Sequence, residues 1–99
     1  MNDGLEKEVR DKIIAVLTAL FPKYKIYLFG SRAKDKFYRS SDIDIAIDAG
    51  KELPTRDIDE AKSVMEALNI VYKVDVVDLY YIPTEMKESI PKEKVIWKN

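Results

Sequence analysis

The chain has no cysteine and no histidine among its 99 residues. That excludes a disulfide framework, a Cys- or His-based zinc site, a thiol nucleophile and an imidazole general base. Any chemistry falls to carboxylates, hydroxyls, lysine, arginine, tyrosine or a bound metal. No apolar run approaches the roughly 20 residues that cross a bilayer. The N-terminus, MNDGLEKEVRD, is charged and lacks the apolar core of a signal peptide. A soluble, cytoplasmic protein with no membrane contact is the expectation. An excess of one charge is missing too: 17 Lys and Arg stand against 18 Asp and Glu. The overall field therefore gives no ground for direct nucleic-acid binding, and none is expected.

What remains is an ordinary globular composition, 46% apolar, of a length that suits a single domain over residues 1–99. Leu5, Val9, Ile13, Val16, Leu17 and Leu20 recur at three- and four-residue steps. They predict an amphipathic helix over 4–20, with Asp3 as a candidate cap and Pro22 as its stop. Tyr24 to Phe29 is β-rich and ends at Gly30; Ser31 to about Lys36 suits a short helical turn. A second strand spans Asp42 to Ile47. Gly50 and Pro54 bracket a loop. Thr55 is placed to cap a second helix that buries Ile58, Ala61, Met65 and Leu68. A third strand spans Ile70 to Tyr80, a short helix follows Pro83 over Thr84 to Ser89, and Val95 to Trp97 forms a last strand or a packed tail. The order predicts an α/β or α+β fold, with a small mixed sheet of three or four strands covered on one side by helices.

The acidic residues break the expected pattern. Asp is a poor strand former, yet residues 42–47 alternate Asp-Ile-Asp-Ile-Ala-Ile. Side chains two apart on a strand share a face. Asp42 and Asp44 therefore face away from Ile43, Ile45 and Ile47. Two close carboxylates repel unless a cation lies between them, and magnesium prefers oxygen ligands of this kind. A third carboxylate would complete a two-metal site. The third strand offers Asp75 and Asp78, three apart and so on opposite faces. Asp75, mid-strand among valines, is the expected third ligand, brought to the pair if the two strands lie side by side. Asp78 is read as a solvent-accessible charge at the strand end.

The Gly30-Ser31 turn supplies the complementary half. Glycine permits close backbone approach and positive φ, and a serine at a helix start offers donors to phosphate. Arg32, Lys34, Lys36 and Arg39 add positive charge nearby. The P-loop and dinucleotide fingerprints are both absent. Phosphate donors followed by metal ligands match the needs of a nucleoside triphosphate with Mg²⁺.

Gly30-Ser31-Arg32-Ala33 followed by Ser41-Asp42-Ile43-Asp44-Ile45 resembles the signature of the DNA polymerase β-like nucleotidyltransferases. The small size resembles their minimal members, the MNT or MntA-like antitoxins. The resemblance implies that Gly30 and Ser31, with Arg32 and Ser41, hold the nucleotide. Asp42, Asp44 and Asp75 would bind two Mg²⁺ ions, and Asp75 would act on the incoming hydroxyl as base or ligand. It implies transfer of AMP from ATP to an acceptor hydroxyl, releasing pyrophosphate. In this family the acceptor is typically a tyrosine of a HEPN-domain toxin partner. One departure is that Lys34-Asp35-Lys36 lacks the glycine many relatives have after the motif.

Two other readings compete with AMP transfer to a toxin. An antitoxin could block its partner by contact alone. A small-molecule nucleotidyltransferase, such as an antibiotic-modifying enzyme, normally has a second domain for its acceptor, for which 99 residues leave no room. Tyr72, Tyr80 and Tyr81 suit packing better than base stacking. Trp97 suits a sheet edge as well as a partner surface, and the Lys-rich stretch from Lys87 to Lys98 suits a solvated face.

Overall fold

The computed structural model describes residues 4–34, 37–38 and 41–99. The candidate cap Asp3, together with Asp35, Lys36 and Arg39, lies outside them. Three helices and four strands follow in the order α1 (Lys7–Leu20), β1 (Lys25–Phe29), β2 (Ile43–Asp48), α2 (Thr55–Ala67), β3 (Val74–Asp78), α3 (Thr84–Glu93) and β4 (Val95–Lys98).

The strands form one mixed sheet in the order β3-β2-β1-β4. β1 is antiparallel to both β2 and β4, whereas β2 and β3 are parallel. Parallel neighbours need a long crossover, and α2 supplies it. The sheet is anchored by the alternation read from sequence. Ile43, Ile45 and Ile47 are fully buried with Ile26, Leu28 and Val76, against Ile13 and Leu17 of α1 and Ile58, Ala61 and Met65 of α2. Each of the larger side chains contributes about 1.5–3 kcal/mol on burial.

Helices do not all lie on one side. The opposite face carries a smaller cluster of Tyr27, Phe29 and Ala46, closed by Ile90 of α3. Ile90 lies beyond the Thr84 to Ser89 span read from the sequence. Three boundaries also move. β3 is five residues long, because the chain turns at Asn69, whose φ is 55°. α3 runs to Glu93. Thr55 is the first residue of α2 rather than its cap: Pro54 precedes it, and no side chain caps that end. Lys98 donates to the carbonyls of Pro22 and Tyr24 at 3.0 and 2.8 Å, so the last strand fastens the α1–β1 connection. Trp97 packs partly buried against the main core. No helix among the described residues is long and apolar enough to cross a membrane.

Candidate active site

The adjacent ends of β1, β2 and β3 build the site. Phe29, the last residue of β1, pairs with Asp44, and Asp44 pairs with Asp75 in the parallel register. Paired residues of neighbouring strands point to the same side. Asp44 and Asp75 thus stand next to each other on the face away from the isoleucines. Asp42 lies just before β2 and is exposed, while Asp44 and Asp75 are half-buried. The Ile43 amide donates to the Lys73 carbonyl at 2.8 Å, which carries the β2–β3 pairing one step further and sets Lys73 beside the acidic end.

The carboxylates feel one another. Burial, the charge of Asp75 and then that of Asp42 push the Asp44 carboxyl up to about 6; Lys73 opposes the rise. Burial and two neighbouring carboxylates both favour the protonated form.

Gly30 adjoins this group directly. Its φ is +74°, and a β-carbon placed on it would overlap the Asp44 carboxylate. Glycine here meets both requirements of the turn, the left-handed backbone and the close approach. The described part of the following segment is a single turn with helical bonds, as expected. The Ala33 amide donates to the Gly30 carbonyl at 3.2 Å, and that of Lys34 to the carbonyls of Gly30 and Ser31 at 3.3 and 3.2 Å. Ser31 is half-buried at its start.

Arg32, expected from the resemblance to lie at the nucleotide, is fully buried. Its guanidinium lies against the rings of Phe37 and Tyr72, at 4.9 and 4.8 Å from their centroids. Its Nε and Nη2 both donate to the Ser41 carbonyl, at 3.2 and 3.0 Å. The Ser41 hydroxyl is likewise engaged, accepting from the Tyr38 amide at 2.8 Å. Ser41 thus shapes the approach to Asp42 through both its backbone and its side chain.

Asp78 also departs from its reading as an exposed charge. It is buried and accepts from the amides of Leu53 at 2.7 Å and Tyr80 at 2.9 Å. It ties the loop before α2 to the turn after β3. On the far part of the acidic face, the buried Tyr27 hydroxyl donates to Asp48 at 3.2 Å, and Lys94 lies 4.3 Å from its ring centroid. Burial and the nearby Asp48 charge raise the Tyr27 phenol above its ordinary range.

The donor set of the cleft is all hard oxygen, which fits Mg²⁺ and not a thiolate- or imidazole-seeking metal. Among the described residues no group of three or more acidic side chains already forms a closed ligand set. Magnesium sites commonly use one or two carboxylates plus substrate phosphates.

Comparison with known proteins gives a consistent result. The family model described as "Polymerase beta, Nucleotidyltransferase" matches residues 11–99. A probable protein adenylyltransferase MntA from Haemophilus influenzae is 31% identical over 81 residues, covering 82% of this chain and 71% of that protein. A crystal structure of a toxin-antitoxin with AMP-PNP superposes with a TM-score of 0.71 at 33% identity, over 89% of this chain and 71% of the other. The tri-AMPylated Shewanella oneidensis HEPN toxin in complex with its MNT antitoxin gives a TM-score of 0.65 at 31% identity, over 89% and 67% of the two chains. The cleft formed by Gly30, Asp44 and Asp75 therefore lies in a chain that belongs to the polymerase β nucleotidyltransferase family, among its minimal, MntA-like members.

Proposed function

We propose that this chain is the antitoxin of a HEPN/MNT pair and transfers AMP from ATP to a hydroxyl, a tyrosine, of its HEPN-domain partner. The single observation that carries the chemistry is the register of β2 and β3, which sets Asp75 opposite Asp44. It is supported by the partner seen with similar antitoxins and by the AMP-PNP held in a similar complex.

In the proposed reaction the acceptor oxygen attacks the α-phosphorus. The bond to the bridging oxygen of the β-phosphate breaks, and pyrophosphate leaves. Gly30 leaves room for the Asp44 carboxylate, and Ser31 offers a hydroxyl to the triphosphate. Asp42, Asp44 and Asp75 would hold Mg²⁺, which when bound neutralises the charge on the attacking and leaving oxygens. Asp75, at the open edge strand, is the group that receives the acceptor proton and passes it to solvent.

The test is incubation with α-labelled ATP, Mg²⁺ and the HEPN partner, beside the Asp42→Asn, Asp44→Asn double variant. Label on the partner with the wild type, none with the variant and none from γ-labelled ATP is the expected result. Neutralisation of the partner without label would instead assign an antitoxin that acts by contact. Label confined to small molecules would assign a small-molecule transferase.

A further inference from the structure

Arg32 is the largest fully buried side chain of the described residues, and it is charged. Burying a guanidinium is costly unless its donors and its faces are both well matched. Here both are engaged, and the groups they engage come from separate stretches of chain. Two aromatic rings lie against the guanidinium, that of Phe37 from one stretch and that of Tyr72 from another. Two donors converge on the Ser41 carbonyl. A β-carbon at Gly4 would overlap the Phe37 ring and approach the guanidinium Nη1 to 2.9 Å, so the N-terminal segment closes over the same group.

Each stretch borders a part of the cleft. Arg32 itself follows Gly30-Ser31, Ser41 immediately precedes Asp42, and Tyr72 lies three residues before Asp75. We propose that Arg32 is the positioning residue of the site: its guanidinium fixes the segments bearing Gly30-Ser31, Asp42-Asp44 and Asp75 relative to one another. It acts through the backbone and touches no substrate. The planar fork is essential, because an ammonium has no rigid pair of donors to aim at one carbonyl while stacking on aromatic rings.

The kinetic part of the test rests on the transfer reaction proposed above. Arg32→Lys keeps the charge without the fork, and Arg32→Met keeps apolar bulk against the rings without donors. Both are to lower kcat per folded molecule by about 100-fold, the scale of a misplacement near 1 Å, with KM for ATP little changed. An unchanged kcat per folded molecule would overturn the proposal, leaving Arg32 a packing residue. A raised KM with kcat held would overturn it differently, by making Arg32 a phosphate contact.

Amide hydrogen exchange separates this proposal from the reaction itself. If the wild type transfers no label, the proposed function fails, yet the positioning role is still tested. Faster exchange at residues 42–44 and 74–75, with α2 unchanged, supports it. A uniform change, or none, overturns it. Should neither arginine variant fold, Phe37→Leu removes one ring from an intact guanidinium and is read by the same exchange pattern.

Discussion

The α-carbon of Gly30 packs so closely on the Asp44 carboxylate that a single added methyl group would displace it. The glycine also sits at φ +74°. Gly30→Ala is therefore expected to cost about 1–3 kcal/mol of stability through backbone strain and to weaken MgATP binding by roughly tenfold or more through the displaced carboxylate. Gly50→Ala is the control: its φ is +75°, but nothing lies within 4 Å of its added carbon. It carries the strain alone, so urea unfolding shifts while the nucleotide titration does not.

The raised Asp44 carboxyl makes the stability of the metal-free protein depend on pH. Its value of about 6 compares with about 3.9 in an unfolded chain. The folded state then holds a proton more tightly than the unfolded state between those values, so stability falls as pH rises through that window. Asp44 is only half-buried, and solvent screening limits the fall to about 1 kcal/mol. Urea midpoints at pH 4.5 and 7 are expected to show it in the wild type and not in Asp44→Asn. Divalent-ion affinity runs the other way, rising with pH through about 6 as the proton leaves.

Lys73 opposes the rise at Asp44. Lys73→Met removes that positive charge, and the Asp44 carboxyl is expected to titrate at still higher pH. A carbon-detected NMR titration of Asp44 without metal reads this directly. An Asp44 titration that stays put or moves downward would show that the Lys73 charge does not reach the cleft.

The parts of this site that local period controls were legible in the sequence. Asp42 and Asp44 oppose the isoleucines because strand side chains alternate, and Asp75 meets Asp44 because the crossover makes β2 and β3 parallel neighbours. What escaped depended on distant stretches of chain. A basic residue after Gly-Ser suggests a phosphate contact; only the rings of Phe37 and Tyr72, brought in from elsewhere, put Arg32 in the interior. β3 is shorter than the composition suggests because Ile70 to Tyr72, though β-like, belong to the connection from α2. Placing Ile90 over Tyr27 and Phe29 likewise required knowing where the chain goes after β3.

Asp75 and Asp78 lie three residues apart, and the structure puts them in different surroundings: Asp75 is half-buried beside Asp44, and Asp78 is buried. Asp78 accepts from the amides of Leu53 and Tyr80, one of them 25 residues away in sequence. Asp78→Ala leaves the buried Leu53 amide and the part-buried Tyr80 amide without that acceptor, a loss of about 2 kcal/mol, and the transfer rate per folded molecule is expected to hold. Asp75 instead adds repulsion at Asp44. Asp75→Ala is expected to leave stability unchanged or slightly raised at neutral pH and to abolish transfer. Urea unfolding and label transfer on the same two variants decide the assignment. If Asp78→Ala abolished transfer in well-folded protein while Asp75→Ala retained it, the third carboxylate of the cleft would be Asp78.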